Sequence, residues 1–454
     1  MNNIADLNLC LPPKLPHTIC LQTAPSQTEH INRIVGSLLG LAIGDALGAS
    51  VEFRSHSYLQ QHPINTLTGG GTWGLERGQW TDDTSMALCL AASLIVKKDF
   101  QPYDQLVRYK WWWKNGYMSS TGKCFDIGSS TKQSLEEFLR RQNLIHQFQI
   151  LEKDIDYLSK DFLQQKKFNY YCSGEGAVGN GALMRLASVP LFFFRSPMQA
   201  VYYAGESARL THGDTIAVDC CRYYAALIVA ALRGYEKPEI LNNQFVEKHL
   251  QWFGDQPLHS DVLQVALGSY KRDGHKEGIV GAGHCLKAME AALWAFWSDH
   301  DQFREGVLLA VNLGDDTDTT AAIYGQLAGA HYGVRQLPKE WAEKIYGVQF
   351  IISIAEWLDY EGNRWSTKGE SNGTPKPTSD VISQRNTIAT GNNNSSTNTN
   401  RHITRNHSTQ QSNQAATAYT PVTNSNAKIQ AQLIQQYVPP IKVKLVASKL
   451  VREY

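Results

Sequence analysis

The sequence predicts an all-α protein with one compact helical domain. Roughly a dozen apolar runs with helical spacing occupy about 335 residues, and segments that alternate apolar and polar residues are missing among them. Two of these helices begin at acidic, threonine-rich clusters, at residues 81–84 and 315–320. Many helices without strands predict the fold class, and the two clusters predict where the chemistry lies.

Composition divides the chain into three parts. Residues 1–25 contain four prolines and predict an irregular segment, and 26–365 form the predicted helical domain. Residues 366–454 form a tail in which Thr, Asn, Ser and Gln dominate, so that most of it cannot bury enough apolar surface to fold. An apolar stretch at 441–446 is either a short docking element or a segment without function, and its partner stays open.

Charge and cysteine content limit the functional classes. The net charge is +1, but residues 366–454 hold ten Lys or Arg against three Asp or Glu, so the tail is basic and the domain mildly acidic. The basic residues are scattered, which argues against a nucleic-acid binder. Eight cysteines without a C-x-x-C pair predict reduced thiols in the cytoplasm. No run of 18 uninterrupted apolar residues and no secretory signal pattern occur, so no membrane association is expected.

The first helix is predicted to start at residues 26–29, which have the spacing of a capping box. Gly36, Gly40 and Gly44 then recur at every fourth residue, which predicts a soluble helix closely packed by its neighbours. After this helix comes Glu52, between Val51 and Phe53. By itself Glu52 fits a surface position or a ligand, and both interpretations stay open.

The first acidic cluster comprises Thr81, Asp82 and Asp83 and opens an apolar helix over 86–96. One carboxylate would be enough to cap that helix. Two carboxylates and a hydroxyl on one turn also offer the oxygen ligands that Mg²⁺ or Mn²⁺ prefers. Both the cap and the metal site are therefore open for this cluster alone.

The second acidic cluster, at 315–320, also opens an apolar helix, over 321–332. Two such helix starts can supply two halves of one metal site. Because the helix dipole disfavours a cation at a helix N-terminus, several carboxylates are needed rather than one.

Between the clusters lie loops and further helices. Residues 54–79 are predicted as loop, 103–117 as an aromatic core helix, 119–128 as a polar loop that lines a pocket, and 131–170 as a peripheral helical excursion. The glycine-rich stretch 173–185 precedes a helix, and its N–H groups can hold a phosphate or a ribose. It lacks the lysine of a P-loop, and no strand precedes it, so an NTPase is disfavoured. His212 fits a structural cap or a site position. Further helices are predicted at 200–210, 216–232, 244–252, 262–270, 284–297, 303–311 and 341–358.

Five motifs together resemble the ADP-ribosylglycohydrolases, and they occur in the family's order across about residues 30–350. Each is weak alone, and the combination is specific. They are the glycine series of the first helix with Asp45, Gly48 and Glu52; Trp80-Thr81-Asp82-Asp83-Thr84; Gly179-Asn180-Gly181-Ala182 with Arg185; Thr211-His212 with Asp214; and Gly314-Asp315-Asp316-Thr317-Asp318-Thr319 with Gly325 and Gly329.

The resemblance implies an all-α fold around two divalent cations, Mg²⁺ or Mn²⁺, and the oxygen ligands suit both. It implies the metal ligands Thr81, Asp82, Asp83, Asp316, Asp318 and Thr319. It implies the catalytic residues Asp82, Asp83, Glu52 and Asp316, with Glu52 beside the metals, where it contacts or gates the site. It implies an ADP-ribose groove lined by Gly179, Asn180, Gly181, Ala182 and His212.

One departure from the family pattern concerns the second cluster. Many members have Gly-Gly-Asp-x-Asp where this chain has Gly314-Asp315-Asp316-Thr317-Asp318, so either Asp315 or Asp316 can be the ligand. Asp316 is chosen because it keeps the Asp-x-Asp-Thr spacing.

The implied activity is release of ADP-ribose from modified protein side chains, with the arginine N-glycosidic bond favoured. Two cations about 3.5–4 Å apart would clamp ribose hydroxyls and orient a water whose proton an aspartate takes. The alternatives are hydrolysis of a serine conjugate, an O-acyl ester or a small ADP-ribosyl metabolite. A non-catalytic ADP-ribose-binding member, or a structural one like the jellyfish J-type crystallins, also stays open.

Overall fold

A computed structural model gives the placement of residues 24–25, 28–145, 148 and 150–371. These described residues form helices and loops with no β-strand, and two isolated bridges join Gly70 to Leu75 and Gly179 to His284. The α-helices are α1 (Ile31–Gly48), α2 (His56–Gln61), α3 (Asp82–Lys97), α4 (Pro102–Asn115), α5 (Ser129–Ile145), α6 (Lys160–Gln165), α7 (Ser188–Phe193), α8 (Pro197–Arg209), α9 (Thr215–Leu232), α10 (Lys237–Ile240), α11 (Phe245–Lys248), α12 (Leu250–Phe253), α13 (Ser260–Ala266), α14 (Cys285–Ser298), α15 (Phe303–Val311), α16 (Thr317–Tyr332), α17 (Lys339–Ala342) and α18 (Val348–Ser371). Short 3₁₀ turns lie at Glu152–Tyr157, Asn180–Ala182, Gly274–Glu277 and Val334–Gln336.

The centre of the fold is an antiparallel pair of helices, α1 and α16, whose backbones touch. A Cβ atom on Gly40 would lie 2.5 Å from the carbonyl oxygen of Gly325, and one on Gly36 would lie 2.3 Å from that of Gly329. Only glycine permits this approach. The predicted close packing of the first helix is confirmed, and the pairing brings the C-terminal end of α1 against the N-terminal end of α16, where a Cβ on Gly48 would meet Asp318.

Other helices pack around this pair, and buried polar side chains bind its backbone. The Tyr224 hydroxyl on α9 donates to the carbonyl of Ile323 at 2.6 Å, and the Gln326 amide on α16 donates to the carbonyls of Leu183 and Met184. Because these buried donors have partners, they orient α9 and the loop before α7 against α16, although the Oε1 of Gln326 is buried without a hydrogen-bond partner.

Two residues of the predicted capping box, Ser26 and Gln27, lie outside the described residues, and the first helix starts after the predicted residues 26–29. It begins at Ile31 without a side-chain cap. The N–H and the hydroxyl of Thr28 donate to the carboxylate of Asp359, each at 2.9 Å, and Arg195 pairs with the same carboxylate. The buried Asp359 on α18 therefore ties the segment before α1 to the last helix.

The predicted helix over 341–358 is divided into α17 and α18. Gly347 lies between them with a φ of +61°, a conformation that ends a helix. After this break α18 continues beyond the predicted domain boundary at 365, to Ser371. Residues 372–454, with the apolar stretch 441–446, lie outside the described residues.

Two further local predictions were wrong. The segment 244–252 forms two single turns, α11 and α12, and the predicted loop 54–79 contains α2. The glycine-rich stretch leads first into a 3₁₀ turn at Asn180–Ala182, and the helix that was predicted to follow it is α7, which begins at Ser188. The predicted helix at 303–311 matches α15 at both ends.

Two helices, α1 and α9, are long and apolar enough to cross a membrane by composition alone. They are 83% and 89% buried inside the structure, as core helices are. The six cysteines in the described residues are free thiols, as predicted: Cys89, Cys124, Cys172, Cys220, Cys221 and Cys285. The cytoplasmic location stays a prediction.

Candidate active site and metal centre

The first wall of the site is built where α1 meets the start of α3. Asp45 lies on the buried face of α1, and four donor groups lie within hydrogen-bond distance of its carboxylate. The N–H and hydroxyl of Thr81 donate to one oxygen at 2.8 and 3.1 Å, and those of Thr84 donate to the other at 3.0 and 2.6 Å. Asp45 therefore caps α3 from another helix, whereas Thr81 occupies the N-cap position without using its side chain as a cap.

Asp83 stands next to this cap. The Thr81 hydroxyl lies 3.0 Å from its Oδ2 as well as 3.1 Å from Asp45, and it can donate its one proton to only one of them at a time. The other carboxylate oxygen of Asp83, Oδ1, is buried without a hydrogen-bond partner. A buried carboxylate oxygen without a donor is costly unless a cation faces it.

The second wall is the start of α16. Asp318 is buried there, and its Oδ1 accepts the Thr319 N–H at 2.9 Å. Asp316 is half-buried, and its Oδ2 accepts the Asn180 amide at 2.7 Å.

Asp315 points elsewhere. Its side chain is exposed and its φ is +63°, a left-handed conformation that Asp tolerates better than most residues. Its backbone exchanges hydrogen bonds with the segment after Glu52, from Phe53 N–H to its carbonyl and from its own N–H to the Arg54 carbonyl. The geometry favours Asp316 over Asp315 as the carboxylate that faces the site.

Glu52 and Asp126 complete the acidic cluster. The carboxylate oxygens of Asp45, Asp83 and Asp318 lie within 4.8 Å of one another, and so do those of Glu52, Asp126 and Asp318. Asp318 belongs to both triads, so the structure places two groups of oxygen ligands side by side.

Burial and mutual repulsion make these carboxyl groups weak acids. Burial raises the pKa of Asp45 to about 6. Burial and, after it, the neighbouring charges of Asp316 and Asp45 raise the pKa of Glu52 to about 7. Burial and the adjacent Glu52 raise the pKa of Asp126 to about 9. Burial holds the pKa values of Asp82, Asp83 and Asp318 well above the ordinary range. The next cause is the charge of a neighbouring carboxylate, which is Asp126 for Asp82, Asp45 for Asp83 and Glu52 for Asp318.

The donor set fits divalent cations. It consists of carboxylate and hydroxyl oxygens, the hard ligands of Mg²⁺ and Mn²⁺, and it includes the unpaired Oδ1 of Asp83. Of the six predicted ligands, Asp83 and Asp318 contribute to the two triads. Thr81, Asp82, Asp316 and Thr319 lie beside them.

The predicted ADP-ribose loop is tied to the acidic cluster through Asn180. Its side-chain amide donates to Asp316 and to the Ala282 carbonyl, and its N–H donates to the Gly283 carbonyl at 3.0 Å. Asp214, the N-cap of α9, accepts the Gly176 N–H at 2.9 Å and fixes the loop's other side.

His212 lies against the backbone of this loop. A Cβ on Gly181 would lie 2.9 Å from its Cε1, and one on Gly179 would lie 3.3 Å from its Nε2. The ring is 2% exposed, and burial together with the charge of Arg185 lowers its pKa to about 3, so it is neutral at physiological pH. Arg185 donates to the carbonyl of Gly181 and to the hydroxyl of Thr211, which contacts the imidazole at 2.8 Å. His212 therefore supports the loop that was predicted to bind ADP-ribose.

Comparison with known proteins identifies the group to which this arrangement belongs. The family model for ADP-ribosylglycohydrolases matches residues 26–367. The chain belongs to the ADP-ribosylglycohydrolase family. The family match confirms the predicted resemblance and the hydrolase class, and the helical architecture is that of the family.

Relatives of the chain carry more specific names. It is 37% identical to the ADP-ribosylarginine hydrolase Tri1 of Pseudomonas putida (strain GB-1), across 73% of this chain and 78% of that protein. It is 33% identical to the ADP-ribosylarginine hydrolase Tri1 of Serratia proteamaculans (strain 568), across 74% and 81%. A solved structure titled ADP-ribosylglycohydrolase-related protein complex is 34% identical, with a TM-score of 0.58 over 74% of this chain and 99% of that chain.

Two carboxylates of this family member's site were absent from the predicted ligands, namely Asp45 and Asp126. Asp45 had a detectable signal, because it is a carboxylate on the apolar, glycine-spaced face of α1. Asp126 stands between Phe125 and Ile127 in the polar loop, with a φ of +59°, and only the folding of that loop brings it to Glu52.

Proposed function

We propose that this chain releases ADP-ribose from arginine side chains of modified proteins by hydrolysing the N-glycosidic bond. The observation that carries the proposal is the pair of carboxylate triads that share Asp318 in a member of this family. Two relatives, at 37% and 33% identity, are named for hydrolysis of ADP-ribosylarginine, and this supports arginine as the acceptor.

We further propose two divalent cations, Mg²⁺ or Mn²⁺. Asp45, Asp83 and Asp318 would hold one, and Glu52, Asp126 and Asp318 the other. The clustering of oxygens within 4.8 Å and the unpaired Asp83 Oδ1 support this assignment. When bound, such cations polarise and orient substrate oxygens and offset the repulsion among the carboxylates.

The reaction requires one bond to break and one to form. The bond between the anomeric carbon and the guanidinium nitrogen breaks, and that nitrogen keeps the electron pair. A water oxygen bonds to the anomeric carbon, and the proton it loses is returned to the leaving guanidine. Positive charge develops at the anomeric carbon, so nearby carboxylates stabilise the transition state.

The protein's own groups can move this proton. Glu52, which lies at the acidic cluster beside Asp126 and Asp318, is the proposed group that accepts the proton from water and returns it to the leaving nitrogen. Asp82, Asp83 and Asp316 are the other proposed catalytic carboxylates. Of these, Asp82 and Asp83 have pKa values well above the ordinary range because they are buried.

The loop at 179–182 is proposed to bind the ADP-ribose part. The side-chain amide of Asn180 donates a hydrogen bond to Asp316. A substrate bound at Gly179, Asn180, Gly181 and Ala182 would therefore have a fixed position relative to the carboxylates. His212 supports this loop from the protein side. The proposed partner is an ADP-ribosylated protein.

A release assay tests the proposal. ADP-ribose release would be measured from arginine-, serine- and O-acyl-linked conjugates with Mg²⁺, Mn²⁺ or EDTA. We expect release from the arginine conjugate that EDTA stops and that the combined Asp82→Ala and Asp318→Ala substitutions abolish. Activity of that double variant would refute the assigned residues. Release only from another linkage would refute the arginine assignment, and metal binding without any release would indicate a non-catalytic member.

A further inference from the structure

Two aromatic side chains stand at the edge of the acidic cluster without a role in the chemistry above. The indole N–H of Trp73 donates to Oε2 of Glu52 at 2.7 Å. The ring of Phe125 lies 5.6 Å from that of Trp73, centroid to centroid, at an interplanar angle of 52°. Trp73 is 38% exposed and Phe125 is half-buried. The indole is thus anchored by its edge to a site carboxylate while the aromatic pair stays accessible from solvent.

Carboxyl groups lie next to this pair. Phe125 directly precedes Asp126, whose carboxyl group contacts that of Glu52 through a hydrogen bond. Both carboxyl groups lie within 4.8 Å of Asp318. Phe53, which follows Glu52, adds a third aromatic side chain and is 59% exposed. Aromatic rings and carboxylates therefore share one edge of the site.

The position relative to Glu52 decides which part of a substrate can reach the pair. The glycosidic bond must lie at the acidic cluster for these carboxylates to act on it. The adenine base is separated from the anomeric carbon by a ribose, a pyrophosphate and a second ribose. Trp73, which is hydrogen-bonded to Glu52, and Phe125, which packs on Trp73, are therefore too near the scissile bond to stack on adenine. The part of the substrate that they can reach is the acceptor.

We propose that Trp73 and Phe125 form the subsite for the guanidinium of the modified arginine, an inference that rests on the proposed function. A guanidinium stacks on aromatic faces and directs its N–H donors to carboxylates in the same plane. Trp73 and Phe125 supply the faces, and Glu52 supplies the carboxylate. A serine oxygen or an acyl ester carries no cation and gains nothing from the aromatic faces, so the pair selects the arginine linkage.

Three variants test the subsite on a synthetic peptide that carries one ADP-ribosylarginine. Trp73→Leu and Phe125→Leu should each raise KM by roughly 3- to 30-fold, the range of a cation–π contact that is partly or fully shielded from water. Trp73→Phe keeps an aromatic face and loses the N–H to Glu52, so it should lower kcat while KM changes less than in Trp73→Leu. The Kd of free ADP-ribose, measured by calorimetry, should stay within about twofold in all three.

Trp297→Leu is the matched control. Trp297 is 44% exposed and lines a different cavity, with Arg33 and His331 at the opposite ends of α1 and α16 from the acidic cluster. This variant should leave KM, kcat and the Kd of ADP-ribose unchanged.

Two results would overturn the subsite. An unchanged KM in both leucine variants would show that the substrate does not contact the two aromatic side chains. A loss of affinity for free ADP-ribose as large as the rise in KM would show that the pair binds the ADP-ribose part instead. A failure of the proposed function gives a different result, because the wild-type protein would then release no ADP-ribose from the arginine peptide. That result would refute the proposed subsite as well.

Discussion

Thr84 donates both its backbone N–H, at 3.0 Å, and its hydroxyl, at 2.6 Å, to the same carboxylate oxygen of Asp45. This contact joins α1 to the first turn of α3. It holds Asp45 in the acidic cluster and at the same time satisfies N–H groups that the start of a helix leaves unpaired. Thr84 is buried, so its hydroxyl has a structural role that a surface threonine would not have.

Removal of the Thr84 hydroxyl should loosen this joint. Thr84→Val keeps the size of the side chain and deletes one hydrogen bond to a charged acceptor, which should lower the free energy of unfolding by about 1.5–3 kcal/mol. Thr84→Ser keeps the hydroxyl and should lose less. Urea unfolding with saturating Mg²⁺ measures both, and equal stability of the valine variant and the wild type would contradict this role.

The glycine contact between α1 and α16 should resist even one added methyl group. A Cβ on Gly325 would lie 2.1 Å from the Gly40 carbonyl oxygen, and backbone cannot swing aside as a flexible side chain does. Gly325→Ala should therefore lower the free energy of unfolding by about 3 kcal/mol or more. Gly174→Ala, where no atom lies within 4 Å of the added Cβ, should change it by less than about 1 kcal/mol. Similar unfolding midpoints for the two variants would refute the close contact.

The acidic cluster should make stability depend on pH in a cation-dependent way. The folded pKa values of Glu52, about 7, and Asp126, about 9, lie above those of the unfolded chain, so the folded state holds more protons at neutral pH. Stability without cations should therefore fall as pH rises from 6.5 to 8. The buried histidines His212 and His331, with lowered pKa values of about 3 and 4, act in the opposite direction only below about 6.5.

Thermal unfolding at pH 6.5 and pH 8, in EDTA and in Mg²⁺, measures this effect. Mg²⁺ should raise the Tm more at pH 8 than at pH 6.5, because ionised carboxylates bind it and protonated ones do not. In EDTA, the Tm should fall less between pH 6.5 and pH 8 in Asp126→Asn than in the wild type. A Mg²⁺ effect that is larger at pH 6.5 would contradict the assignment.

The adjacent carboxylates Asp315 and Asp316 should differ strongly in their effect on activity. Asp315→Asn keeps a residue that tolerates the left-handed backbone and alters only an exposed charge, so kcat/KM should stay within about threefold. Asp316→Asn disturbs the carboxylate that holds Asn180 at the cluster and should lower kcat/KM or cation affinity by roughly 10- to 100-fold. Steady-state kinetics and Mg²⁺ titration distinguish them, and the reverse order would make Asp315 the functional acid.

Removal of the tail should not affect catalysis. The carboxylates and the loop of the site lie between residues 45 and 319, and the family match ends at residue 367. A chain that ends after Ser371, where α18 ends, should keep kcat/KM within about twofold of the full chain. A large loss in the release assay would show that the tail completes the site.

Local pattern predicted most helices because apolar spacing is a local property. The bounds of α15 follow from the sequence alone, and α3, α9 and α14 lie within a few residues of the predicted ranges. Two helix bounds differed from the prediction. α1 begins at Ile31, and Thr28 before it is hydrogen-bonded to Asp359 on α18, a contact that no local pattern shows. Gly347, with a positive φ that a continuous helix does not contain, lies between α17 and α18.

By itself the sequence determined the helical class, the family and the two acidic helix starts, because each can be recognised from short patterns of neighbouring residues. Only the tertiary structure decided which carboxylates form one site. In the folded chain Asp45 and Asp126 lie beside the predicted carboxylates, and the side chain of Asp315 is exposed. The indole N–H of Trp73 donates a hydrogen bond to Glu52. The physical reason is that oxygen atoms form triads within 4.8 Å only after glycine contacts bring α1 against α16 and loops close over them, and no spacing along the chain encodes such distances.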